Sequence, residues 1–403
     1  MYQTLKKIYH SSKEKYGKAY TYRYNSEYSR HIDIKINGNP AFYIVTNDIQ
    51  KLLVDIRKLD KITSLMSSEL PPIANSHLIN KCIIDEITIT NKIEGVESSR
   101  REIESLINYE SKNKSNIKFS GLVEKYSKLI DSENIKLATC NDVRKIYDEL
   151  VLKDVLLENK DHMPDGKIFR KGSVSVYDNG KEVHKGLVPE SKIISAMNYL
   201  LKWINNEDED LLLRIAAAHY LIGYIHPFYN GNGRLNRFIS SYLLTFEFHP
   251  FISFRLACTI REKFNKYTGA FKECNHILNR GDITFFCEYF LNLVKDSFES
   301  LNKMLDEKLM MLNMYNRLLQ DTKYSDHEFP KHLVYILIQA ELFSEKGISI
   351  SDLIYHLDIS RFTLRKRLQQ INNFTILKEN IVGREKFYSI DLAKLEALLK
   401  NNN

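Results

Sequence analysis

No two cysteines in this sequence are spaced as CxxC, and the five present (Cys82, Cys140, Cys258, Cys274 and Cys287) make an odd count. That pattern argues against a disulfide framework and a zinc site, and it fits a reducing cytoplasm. The N-terminal stretch MYQTLKKIYHSSKEKYGKAY contains no apolar run and therefore does not read as a signal peptide. Elsewhere the longest apolar stretches are broken by charged or polar residues well short of a membrane span, so a cytoplasmic protein is expected. No internal repeat or low-complexity tract stands out. Excess charge is small, at +7, which suits an anionic partner such as nucleotide or DNA and equally suits an ordinary basic solvated face.

What is present is a globular composition. The 403 residues are 43% hydrophobic and 11% aromatic, enough for two or three domains that each bury a core. HIDIKINGNPAFYIV (31–45) alternates around an Asn-Gly pair and predicts a short β-hairpin. A helical pattern follows Pro71 and Pro72, with Gly95 well placed to stop it. ESKNKSNIKFSG (110–121) is polar and reads as a loop.

From about Thr139 to Ser300 the pattern is mostly helical, opening with a capping arrangement of Thr139 and Asp142. Residues 169–190 interrupt it, alternating Val and polar residues around Asp178-Asn179-Gly180 as a second hairpin. Helices resume at SKIISAMNYLLKWIN and LLLRIAAAHYLIGYI. After about residue 325 come three helices, HLVYILIQAEL, SISDLIYHL and RFTLRKRLQQI, then two strands around Val382-Gly383-Arg384. That is the layout of a winged helix-turn-helix. The fold class expected is mainly α, divided into an N-terminal region 1–95, a helical core 96–310 and a winged-helix domain 325–403.

The chemistry concentrates in HPFYNGNGRLNR (226–237). Pro227 disfavours helical geometry at His226, so His226 sits at the end of the preceding apolar helix. Asn230, Gly231, Asn232 and Gly233 can take positive φ or let the backbone approach a ligand closely, and consecutive amides there form an anion-binding concavity. The loop opens a second helix whose N-terminus adds a positive dipole, and Arg234 and Arg237 are three residues apart on one face. The segment presents amides and two guanidinium groups to a polyphosphate, with a histidine alongside that can take a proton from an alcohol. His219, earlier on the apolar helix, reads as a core histidine.

This segment closely resembles the Fic family signature H-x-F-x-D/E-G-N-G-R-x-x-R, matched by His226, Phe228, Gly231, Asn232, Gly233, Arg234 and Arg237. The resemblance implies a mostly helical fold and transfer of AMP from ATP, with Mg²⁺ (or Mn²⁺), to a Ser, Thr or Tyr hydroxyl of a protein. On that analogy His226 deprotonates the hydroxyl, and Asn232 with the Gly231–Gly233 amides holds α- and β-phosphate oxygens. Arg234 supports the β-phosphate, Arg237 the γ-phosphate, and Phe228 anchors the core. The family's acidic metal ligand is replaced by Asn230, whose amide oxygen carries no charge. Relatives with altered signatures move a different phosphate group, so a phosphotransferase is the alternative chemistry.

The resemblance extends over about residues 75–300. Hairpin 169–190, with exit residues Val183, His184, Lys185, Gly186 and Leu187, matches the family's flap, which pairs with a target segment by strand addition. NRGDITFFCEYFL (279–291) resembles the helix closing the core. Thr90, Glu94 and Gly95, in TNKIEG, match an inhibitory motif in which Glu94 pairs with Arg237 and withholds it from nucleotide.

In the last domain, Arg361, Thr363, Arg365 and Lys366, with Arg367, make a basic helix able to enter a DNA groove, and Arg384 and Lys386 could meet phosphates. A winged helix used for protein contacts or dimerisation is an equal alternative. The partners this reading admits are ATP, a hydroxyl-bearing protein target (the chain itself included), DNA and a second copy as a homodimer, with no membrane. The competing function is a DNA-binding regulator whose core only senses nucleotide.

Overall fold

The computed structural model describes residues 2–107, 117–130, 134–178, 180–382 and 385–401. Most of the loop expected at 110–121, the hairpin residue Asn179 and the wing-tip Gly383 and Arg384 lie outside the described residues. The chain divides into two compact units, Met1–Asp60 with Ile83–Glu299, and Lys61–Cys82 with Ser300–Asn403.

The first unit is mostly helical. Its N-terminal hairpin pairs Ser29–Ile36 with Asn39–Ile44, turning at Asn37 and Gly38, which both have positive φ (49° and 82°). Asn-Gly tolerates that double left-handed turn, and the turn's twist matches the strands it joins. Ile32, Ile34 and Ile36 alternate inward and are buried. Thr139 and Asp142 form the expected reciprocal capping box ahead of the helix Cys140–Tyr147.

Two helices carry the centre of the unit. Leu211–Ile225 is buried everywhere except Arg214 and Gly223, and Asn232–Leu244 everywhere except Gly233. A helix apolar all round belongs inside a core rather than on its surface, which explains why LLLRIAAAHYLIGYI lacks a polar face. His219 is buried there, with Nδ1 bonded to Ser240 Oγ (2.8 Å) and Nε2 to Tyr267 Oη (2.7 Å). Burial pushes its imidazole down to about 3, so it is a neutral, satisfied core group. The second hairpin pairs Ser175–Asp178 with Lys181–Lys185, with a register shift between Val176 and Tyr177.

The second unit contains helices Lys331–Phe343, Ile350–Leu357 and Arg361–Asn373, then strands Leu377–Val382 and Glu385–Ile390. Two elements beyond the expected layout appear. Ile348–Ser349 adds a strand on the far side of Glu385–Ile390, and Leu392–Lys400 is a closing helix capped by the Asp391 side chain. All five cysteines are buried and none is in a disulfide, and no described helix is long and apolar enough to cross a membrane.

Candidate active site

Helix Leu211–Ile225 ends where Pro227 makes continued helical geometry unfavourable for its neighbour. His226 takes the C-cap in a left-handed conformation (φ 52°), its amide still donating to Ile222 O at 2.9 Å. A non-glycine residue in that region is strained, so the surroundings must hold it there. The following loop closes on itself. Asn232 accepts from Phe228 N (2.9 Å) through Oδ1 and donates to Phe228 O (2.7 Å) through Nδ2. Its side chain therefore shapes the loop, a local role not visible in the spacing alone. Phe228 is buried, stacked on Tyr147 at 3.6 Å with rings 5° apart, and Tyr147 Oη donates to Asn230 O (3.0 Å). Gly231, at φ 78°, starts the next helix, and a Cβ there would press on Val151 and the Tyr147 ring.

That helix carries both arginines into the interior. Arg234 is fully buried, and none of its three guanidinium nitrogens has a hydrogen-bond partner. Burying guanidinium nitrogens without hydrogen-bond partners is costly, even with the Glu94 and Asp154 carboxylates near enough to act on Arg234, and an anion that met those nitrogens would relieve that cost. Arg237, also buried, is occupied: Nε donates to Thr90 Oγ1 (2.6 Å), and Nη2 to Thr90 O (3.1 Å) and Glu94 Oε1 (2.7 Å). The Glu94 carboxylate also lies against Gly233, so closely that a Cβ at that position would overlap it. Burial pushes the Glu94 carboxyl up, but Arg237, Arg234 and His226 together outweigh that and hold it below the usual glutamate range. Thr90, Glu94, Gly233 and Arg237 are thus one cluster, although Arg237 is 143 residues from Glu94 in sequence. Gly95 has φ 73° just beyond the helix Pro72–Ile93 and turns the chain away.

Glu86, on helix Pro72–Ile93 about two turns before Glu94, is a buried acid that sequence reading passed over. Its carboxylate accepts Ala257 N (2.9 Å). Burial pushes it up to about 8, with Ala257 N, Arg237 and Arg255 pulling the other way.

His226 is half-buried. Its Nδ1 lies 3.4 Å from Gly223 O; a carbonyl can only accept, so the proton belongs on Nδ1 and Nε2 keeps its lone pair. Burial, then the neighbouring His184, push the imidazole down to about 4, against a weaker upward pull from Gly223 O. At neutral pH His226 is an unprotonated base.

The second hairpin is fastened at its exit. His184 Nε2 bonds Tyr224 O (2.6 Å), Gly186 N donates to Val174 O (3.0 Å), and Leu187 N to Ile225 O (3.1 Å). Val183 is half-buried and Lys185 exposed. These five residues therefore lie beside the end of the His226 helix.

Arg170 was not anticipated, because nothing in FRKGSVS marks it. It is fully buried, yet all its guanidinium partners are carbonyls: His226 O (2.9 Å) from Nε, Gly172 O (2.5 Å) from Nη1 and Leu187 O (3.0 Å) from Nη2. One side chain thereby fixes the strained His226 backbone and both ends of the hairpin. Gly186 makes room for it, since a Cβ there would overlap Nη2. If His226 is the reacting group, Arg170→Met is expected to lower the rate at this site about tenfold or more while leaving ligand affinity within about twofold, because misplacement of a reacting group costs rate rather than ground-state binding. Steady-state kinetics beside ATP titration checks this; a parallel loss of ATP affinity would mean that Arg170 only holds the fold.

A divalent cation is poorly served by these residues. Asn230 is neutral and its Oδ1 already accepts Gly231 N (2.6 Å). Among the described residues no group of three or more His, Cys, Asp or Glu side chains could hold a metal ion. The described donors do not make a metal cage.

Residues 138–244 match the profile of the Fic/DOC family. The chain is 27% identical over 174 residues to the protein adenylyltransferase Fic of Drosophila yakuba, covering 41% of this chain and 32% of that protein. It is 23% identical over 161 residues to the protein adenylyltransferase fic-1 of Caenorhabditis elegans, covering 38% of this chain and 29% of that one. The match thus spans about a third of the length of these relatives. Among solved structures, a Fic family protein from Desulfovibrio desulfuricans G20 superposes with a TM-score of 0.53 at 20% identity, over 87% of this chain and 98% of that one. The helical fold with its small sheets is the same.

Proposed function

We propose that the chain, whose residues 138–244 match the Fic/DOC family, is a nucleotidyltransferase that moves AMP from ATP onto a Ser, Thr or Tyr hydroxyl of a protein, and that Glu94 holds it inactive. The observation carrying this reading is the bare, buried Arg234 guanidinium at the base of a loop whose first residue is an unprotonated histidine. An anion belongs on the first and a proton acceptor is the second.

In this mechanism His226 Nε2 takes the proton of the target hydroxyl. The oxygen attacks the α-phosphorus, a new P–O bond forms, and the bond between the α-phosphorus and the α,β-bridging oxygen breaks. The electron pair leaves with pyrophosphate. Arg234, the loop amides and the positive end of helix Asn232–Leu244 stabilise the charge building on the phosphates. Arg237 joins them once Glu94 withdraws. The hairpin aligns the target segment by strand addition, and the exposed Tyr177 lies on one of its strands. Magnesium or manganese would enter on the triphosphate and neutralise part of its charge. Five cysteines without a disulfide support a cytoplasmic setting.

Asn230 favours one second reading, transfer of a terminal phosphoryl group instead of AMP, since the acidic residue of the signature is missing. Parallel incubations of the Glu94→Gly chain with α- and γ-labelled ATP separate them. The expected result is α label on protein and γ label in released pyrophosphate. Transfer of γ label alone would overturn AMP transfer, and no label on protein from either would reduce the core to a nucleotide sensor.

A further inference from the structure

The helix Arg361–Asn373 divides its residues cleanly. Leu364, Leu368 and Ile371 are buried, while Arg361, Phe362, Arg365, Lys366 and Gln369 are exposed on the opposite side. Between Asp358 and Glu379 there is no acidic residue, and among the described residues Arg361, Arg365 and Lys366 make no ion pair. Lys400, by contrast, pairs with Glu396 one turn away. These three do not, and two large aromatic side chains accompany them in solvent, Phe362 and Tyr355, each 81% exposed. Aromatics left in water beside unpaired cations point to a partner.

The local architecture selects which one. Helix Ile350–Leu357 is followed by a three-residue turn with Asp358 at φ 49°, and Ser360 caps the basic helix by accepting Thr363 N (3.1 Å). A helix presented by a short turn after another helix is the geometry that enters a DNA major groove, which is about 12 Å wide and admits one α-helix. Positions 361, 365 and 369 form a stripe about 12 Å long at 1.5 Å per residue. Its guanidinium and amide groups match the acceptors of guanine and the donor–acceptor pair of adenine. Thr363 leaves the contact set, because its amide and hydroxyl are engaged with Ser360. Lys386 also leaves it, since it pairs with Glu379 at 3.0 Å.

We infer that the Arg361–Asn373 helix is a duplex-DNA interface, with Arg361, Arg365 and Lys366 on phosphates or guanine edges, Gln369 on bases and Phe362 against thymine methyl groups or sugars. This function is independent of the transferase reading, and its test needs no nucleotide chemistry. The intact chain is titrated by fluorescence anisotropy against a labelled random-sequence B-DNA duplex of about 20 base pairs in rising salt. Three phosphate contacts predict a log–log salt slope of about −2.7, a loss of about 40-fold in affinity between 50 and 200 mM. The exposed double variant Arg365→Ala, Lys366→Ala should flatten that slope to about −0.9, with about a 3.5-fold loss over the same range. Phe362→Ala should weaken binding without changing the slope. A flat titration at 50 mM salt, a double variant that binds like the parent, or equal binding to an A-form RNA duplex, whose major groove excludes side chains, would each overturn it.

Discussion

Glu94→Gly is expected to raise the rate of AMP transfer roughly 10- to 100-fold, the range spanned by one charge-assisted hydrogen bond of about 1.5–3 kcal/mol. Glu94 does two things in the structure: it occupies Arg237 Nη2 at 2.7 Å, and it fills the space over Gly233 at the start of helix Asn232–Leu244. A triphosphate needs both. The residue lies in the turn after helix Pro72–Ile93, with its amide bonded to Asn91 O (3.0 Å), so glycine leaves the helix intact. The cost falls on stability: Arg237 keeps Thr90 but loses its counter-charge, which is expensive for a buried cation. The variant should therefore melt lower than the parent without nucleotide and recover on adding ATP. Because the Glu94 carboxyl is held below the usual range, its contribution is present above the unfolded carboxyl value and is lost as pH falls through the lower folded one. Inhibition should thus be constant through the neutral range. Label incorporation equal in parent and variant would remove Glu94 from regulation.

His226→Ala, made in the Glu94→Gly background, is expected to cut transfer by about 10²–10⁴-fold while ATP still binds, the usual contribution of a positioned general base. The pH profile gives a second check. Burial, with His184 and Arg170 adding to it and Glu94 and Gly223 O opposing, holds the imidazole down to about 4. Protonation removes the base, so the acid limb of the rate should fall near pH 4 instead of near the ordinary histidine value, and the rate should be level above it. An acid limb near 6.5 would mean that His226 opens to solvent in the active state. Full transfer by His226→Ala would require a different base.

Much of this arrangement is legible in residues that act on their own backbone. Asn37-Gly38 turns a hairpin, Thr139 and Asp142 cap a helix, and Pro227 ends one, each through a rule of a few residues. The loop 226–237 is legible for the same reason, since its geometry lies within one stretch. The pairing of Glu94 with Arg237 needed a family resemblance, because no local rule connects positions 143 apart. What escaped reading altogether are long-range contacts to backbone. Arg170 meets three carbonyls, His184 meets Tyr224 O, and Glu86 meets Ala257 N. A carbonyl carries no residue identity, so no side-chain pattern announces these bonds. The strand Ile348–Ser349 is too short to show alternation, and the exposure of Phe362 and Tyr355 is set by the fold and not by their residue type.

The central claim is that Arg234 and the 230–234 loop hold a triphosphate beside His226. The direct measurement is a crystal structure of the Glu94→Gly chain with an ATP analogue whose α,β-bridge cannot be cleaved. The account predicts a phosphate oxygen within hydrogen-bonding distance of the Arg234 guanidinium and the α-phosphorus facing His226 Nε2. A nucleotide bound elsewhere, with Arg234 still lacking any partner, would contradict it.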